Sequence, residues 1–292
     1  MPALTTDPDR DRLAAAFRSV PALTAEGSLV LAYGADAVTE VLEWAADGVG
    51  ADPSAASWLG GLRLARHLGL ATAPSAPPQL SRAVDDDVAA CLSAVGTAGR
   101  ARLTEAFRGS FPRLAASYAV DRMGTRAHPL TEAELPSRLD DPGALLRALP
   151  LAALVHVEPV TVYTLVLESV AISVSSVAEQ HRIATALSVL SARLSPDAAT
   201  RGLDAAEIAG RLEVPAVRGE AVAELAAAAA DTPSRPLERA GDPDPCGAVA
   251  ERLGVVALSP EDEAKDEAAR RVRDAVLEPA LDRLARLLGV AG

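Results

Sequence analysis

Apolar residues recur at helical spacing along most of this chain, and four loop-like stretches interrupt them. Leu62, Ala65 and Leu68 fall on one helical face, and Val249, Leu253 and Val256 on another. The stretch from Gly27 to Trp44 reads as a helix rich in small residues, suited to close approach by a neighbour. A last helix opens at Ser259-Pro260-Glu261-Asp262-Glu263, where a capping serine, a proline and three acids mark a helix start. Its apolar face continues through Val272, Val276, Leu281, Leu284 and Leu288, and Pro279 kinks or splits it. The interruptions are Ala73–Ser81 with three prolines, Gly124–Gly143, Ser195–Asp204 and Asp231–Pro245. No internal repeat and no strand pattern stands out. The pattern predicts an all-α chain, with an N-terminal segment over 1–25 and one compact multi-helix domain over 26–292.

Composition supports helices. Hydrophobic residues make up 49% and aromatic residues only 3%, with alanine and leucine dominant, a balance that favours helix packing over sheet. The net charge of −12 argues against nucleic acid as a partner, because an acidic surface repels a phosphate backbone. The single lysine, Lys265, sits among acids. Cys91 and Cys246 show no metal or redox spacing, and the N-terminus is polar and charged, so a reducing, cytoplasmic location is expected. The apolar run Val160 to Val177 carries Glu168 at its middle. It is therefore read as a buried core helix, and no membrane is expected as a partner.

Three segments carry chemistry. Gly34-Ala35-Asp36-Ala37 lies in the first helix with Glu43-Trp44 behind it. Arg147 stands in the apolar run Gly143-Ala-Leu-Leu-Arg-Ala-Leu-Pro-Leu-Ala. Gly241-Asp242-Pro-Asp244-Pro precedes a helical pattern. Taken in order, they resemble the ADP-ribosylglycohydrolase family in its opening helix, its central Met-Arg-x-x-Pro-Leu segment and its closing Gly-Asp-x-Asp-Thr segment. The resemblance covers about residues 27–258. It implies an all-helical fold and two Mg²⁺ ions that position ADP-ribose and the water cleaving its glycosidic link. Such a pair of ions needs several converging carboxylates and other hard oxygen ligands.

The chain departs from that pattern. The family's early Thr-Asp-Asp-Thr run aligns with Ser54-Ala55-Ala56-Ser57, just before a helix at Trp58, so both carboxylates are replaced by methyl groups. Pro245 replaces the late threonine, and the middle Thr-His pair falls near Val174-Ser175-Ser176. Asp52 could restore one carboxylate by a register shift, but not two. Asp242 and Asp244 each precede a proline, which favours extended angles and presents both on one side. Asp244 also suits an N-cap with Pro245 at the first helical position, and the two roles are compatible.

Asp36 and Glu43 lie two helical turns apart and could face one cleft, or simply face solvent. Arg147 could bind an anionic group bidentately, or pair within the core. His67, His128, His156 and His181 show no ligand spacing, and Asp85-Asp86-Asp87 reads as capping after the proline-rich loop. The candidate acid/base residues are thus Asp36, Glu43, Asp242 and Asp244. The candidate ligand-binding residues are Arg147, Ser54 and Ser57. No metal ligand or cofactor is assigned, Mg²⁺ being the weak alternative.

Four functions follow from these residues. The first is a divergent family member without two-metal hydrolysis, binding an ADP-ribose-like small molecule or a protein partner. The second is a repurposed metal-independent enzyme for a more apolar substrate. The third is a single-metal ADP-ribosyl hydrolase, and the fourth a structural protein.

Overall fold

The structure is a computed structural model that describes residues 23–120, 142–194 and 267–288. These residues are mostly helical and contain no strand. In chain order the helices are α1 (Ala25–Ala46), α2 (Pro53–Leu68), α3 (Ala83–Ser110), α4 (Pro112–Ser117), α5 (Pro142–Ala148), α6 (Pro159–Val170), α7 (Val177–Leu194), α8 (Glu267–Val272) and α9 (Glu278–Leu288).

The centre of the assembly is α1. Every residue from Ala25 to Thr39 is buried, and the helix packs against α2, α3, α5, α8 and α9. A helix covered on all sides must approach its neighbours closely, which explains its small residues. At Gly34 the backbone of α5 lies against the helix, and an added Cβ would collide with the carbonyl oxygen of Arg147. At Gly61 on α2 the ring of Tyr118 fills the equivalent space. The hydrophobic cluster extends from Leu29 and Leu31 through Leu62 and Leu64 to Leu145, Leu149, Val166 and Leu187.

The helix ends obey local chemistry. Thr24 caps α1 by accepting from the Gly27 amide. Asp52 caps α2 by accepting from the amides of Ser54 and Ala55, and Gly69 closes that helix in the left-handed region at φ 68°. Ser54 to Ser57 therefore form the first turn of α2 instead of preceding the helix, and the expected start at Trp58 is corrected to Pro53. The capping demand of Asp52 is the reason. Gly96 (φ 70°) breaks the helical path inside α3.

The run Val160 to Val177 is also corrected. It is not one buried helix: α6 stops at Val170, Val160 is 52% exposed and Glu168 is exposed. The charge sits at the surface because Val162, Val166, Ser169 and Val170 form the buried face and Glu168 lies off it. No helix among the described residues is long and apolar enough to cross a membrane. The last helical pattern runs on through Pro279, but residues Arg273–Leu277 just before it widen into a π-helical stretch. Pro279 lacks the N–H that would close onto Ala275, and the wider turn absorbs the loss.

Gly34→Ala should destabilise the protein by about 1–3 kcal/mol, the usual cost of overpacking. Gly109, whose Cβ would meet nothing within 4 Å, is the control. Its alanine variant should be neutral or up to about 1 kcal/mol more stable in urea unfolding.

Candidate functional site

Asp36 projects from the middle of α1 and is only 2% exposed. A buried carboxylate needs compensating charge and donors. Two arginines supply them. Arg63, 6% exposed on α2, donates from Nη2 to Asp36 Oδ2 at 2.6 Å. Arg82, at the start of α3, donates from Nε to the same oxygen at 2.8 Å and from Nη2 to Glu43 at 3.0 Å. Asp36 and Glu43 are thus joined through one guanidinium, as two acids spaced two turns apart allow. Glu40, between them on the helix, lies 3.7 Å from Arg63 Nη1 and 3.9 Å from Arg82 Nε.

Asp85 completes the network from α3. Its Oδ2 accepts from the Arg82 backbone amide at 2.8 Å, which is the capping role expected of this acidic run. The same side chain turns inward. Its Oδ1 accepts from the Tyr33 hydroxyl at 2.8 Å, its Oδ2 stands 3.2 Å from Arg63 Nε, and His67 Nε2 lies 3.4 Å from Oδ1. Three helices therefore meet at a shared set of charges, with the Arg63 guanidinium 6.0 Å from the Tyr33 ring centroid.

Burial and charge pull in different directions here. Burial pushes the Asp36 carboxyl above its ordinary value, against the pull of Arg82 and Arg63. Burial opposes the charge on Arg82 as well, but Asp36 and Glu43 outweigh it and hold that guanidinium more firmly protonated than usual. Burial also acts against the Asp85 carboxylate. Hydrogen bonds from His67, the Arg82 amide and Tyr33, with the charge of Arg63, hold it below the usual carboxylate range. The Tyr33 phenol is pushed far up by burial and by the adjacent Asp85.

The remaining candidates lie elsewhere. Ser54 donates its hydroxyl to the capping Asp52 at 2.8 Å, so Asp52 is occupied with the helix start. Ser57 accepts from the Ser169 hydroxyl at 3.4 Å. Arg147, 4% exposed, donates from Nη2 to the Ser169 carbonyl at 2.6 Å and to the Ser173 hydroxyl at 3.3 Å. Ser57 and Arg147 therefore converge through Ser169 on a second buried polar cluster, which ties α5 to α6 and α2. Asp242 and Asp244 lie outside the described residues, as does His128. His156 is exposed, and His181 pairs through Nδ1 with the Tyr163 hydroxyl.

Two cavities adjoin the kinked α3. One of about 580 Å³ is lined by Glu26, Cys91, Arg102 and Arg271, and one of about 510 Å³ by His67, Leu92, Gly96 and Arg100. Neither is lined by Asp36, Glu43, Ser54, Ser57 or Arg147.

Among the described residues no group of three or more His, Cys, Asp or Glu side chains is placed to hold a metal ion. The donor chemistry gives a reason at Asp36. Its carboxylate already faces two guanidiniums, so an approaching divalent cation would meet positive charge where it needs open oxygens. No protein-family model, curated protein or solved structure matches this chain.

Sequence reasoning did not single out Arg63, Arg82 or Tyr33. A signal existed in the acids Asp36, Glu40 and Glu43, which recur at one-turn spacing on an otherwise apolar helix. Arg63 sits likewise among Gly60, Gly61, Leu62, Leu64 and Ala65.

Asp85 binds fewer protons in the folded chain than in the unfolded one, because its folded pKa is depressed. Its stabilisation is complete above the unfolded aspartate pKa and disappears as pH falls through the folded value. Asp36, with a raised pKa, contributes in the opposite sense. Asp85→Asn should therefore lower stability at neutral pH and flatten the acid limb of a stability–pH curve from urea unfolding. An unaltered acid limb would contradict the role given to Asp85.

Proposed function

We propose that this chain is a divergent ADP-ribosylglycohydrolase-like protein that binds a small ligand or a protein partner without two-metal hydrolysis. The resemblance rests on Gly34-Ala35-Asp36, on Arg147 with Pro150-Leu151, and on Gly241-Asp242-Pro243-Asp244, in that order along the chain. The observation that carries the loss of metal chemistry is the double engagement of Asp36 by Arg63 and Arg82. Ala55 and Ala56 support it, since neither side chain offers an electron pair to a cation. Two divalent ions close together need several anionic ligands to offset their mutual repulsion. In this reading the internal guanidiniums neutralise the opening helix in their place.

Calorimetric titration of the full chain with Mg²⁺ and Mn²⁺ tests the metal half of the reading, and the expected result is no uptake of an ion pair. Incubation with ADP-ribosyl-arginine or ADP-ribosyl-serine peptides should release no ADP-ribose. Uptake of two ions, or metal-dependent release, would overturn the proposal. ADP-ribose added alone should raise the melting temperature in a concentration-dependent way. No shift at millimolar ligand would remove ADP-ribose as the ligand.

A further inference from the structure

The two arginines on Asp36 differ in a way that bears on how the network opens. Arg63 is fixed from within: its side chain is 6% exposed, and it meets Asp36, Glu40 and Asp85 from inside the α1–α2 contact. Arg82 is different. It ends the proline-rich connection 69–82, its side chain is 17% exposed, and its outer partner Glu43 is 48% exposed.

The connection packs Leu70 and Ala76 onto the core but makes few backbone hydrogen bonds to other elements. The Ala73 amide donates to the Tyr118 carbonyl at 2.8 Å near its beginning. Beyond that point the Ala76 amide turns back to the Ala73 carbonyl, and the Gln79 side-chain amide turns back to the Pro77 carbonyl. Ser75 Oγ and Gln79 Oε1 are buried without a hydrogen-bond partner, and Leu80 is 83% exposed. The segment is held at its far end by the ion pairs and the capping amide of Arg82.

We infer that Arg82 is an electrostatic latch that ties the end of the 69–82 connection to the acidic face of α1, and that its release opens Asp36 and Glu40 to solvent. Arg63 stays in place in both forms and keeps the buried charge compensated. The inference is independent of the ADP-ribosylglycohydrolase resemblance. Because the outer pair between Arg82 and Glu43 is half exposed, dissolved salt weakens it, whereas the buried Arg63–Asp36 pair is screened far less.

Hydrogen exchange of the full chain, read by mass spectrometry, tests the latch on the amides of Ala76 and Arg82, which are hydrogen-bonded to the Ala73 carbonyl and to Asp85. In Glu43→Gln these amides should exchange roughly two- to fivefold faster than in the parent at low salt, the factor expected of one partly exposed ion pair. Raising NaCl to about 1 M should accelerate them in the parent and have a smaller effect in the variant. Arg82→Ala should show a larger acceleration confined to the same segment. Should that variant fail to fold, Glu43→Gln decides alone. Unchanged loop exchange in Glu43→Gln, or equal acceleration of the loop and of the α1 and α2 amides, would overturn the inference.

Discussion

A single negative charge in the wall of the central helix sets the terms for this fold. Asp36 is excluded from water, and an isolated carboxylate in that position would be strongly unfavourable or would take up a proton. Arg63 and Arg82 make the position tolerable, and each comes from a different helix. Pairing with both arginines therefore draws α1, α2 and the start of α3 together. Asp85 adds to this, since one side chain both caps α3 and meets Tyr33 and Arg63. Such networks often add little net stability over a well-packed apolar equivalent, but losing one member is costly. Their effect is to favour one arrangement of helices over others.

The second polar cluster repeats this logic on the other side of α1. Arg147 reaches the Ser169 carbonyl and the Ser173 hydroxyl, and Ser169 reaches Ser57. The backbone of Arg147 also lies against Gly34, so the residue that anchors α6 is the one that α1 must accommodate by having no side chain. Gly34 and Arg147 are thus adjacent through packing. This adjacency accounts for both residues on structural grounds.

Much of the fold was legible because helical periodicity and caps are local. The first helix was expected over Gly27–Trp44 and spans Ala25–Ala46, and the proline-rich stretch Ala73–Ser81 lies in the connection before α3. The start of α2 is not legible in the Ser54–Ser57 run, because the residue that fixes it is Asp52, an aspartate whose sequence position serves a metal ligand as readily as a helix cap. The Val160–Val177 run was read as continuous because composition does not reveal that its glutamate faces outward. At the site, Asp36 and Glu43 could be singled out, since acids on an apolar helix are conspicuous. Their partners could not. Pairing of Asp36 with residues 27 and 46 positions away depends on how helices cross, which the spacing of residues within any one helix does not encode.

The most direct test of the account is a double-mutant cycle between Asp36 and Arg63, using Asp36→Asn, Arg63→Met and the pair, measured by urea unfolding at neutral pH. If internal guanidiniums compensate this carboxylate, the two substitutions are strongly non-additive, with a coupling of about 1.5–3 kcal/mol. Additivity to within about 0.5 kcal/mol would mean the two side chains do not depend on each other, and the charge balance described for α1 would be wrong.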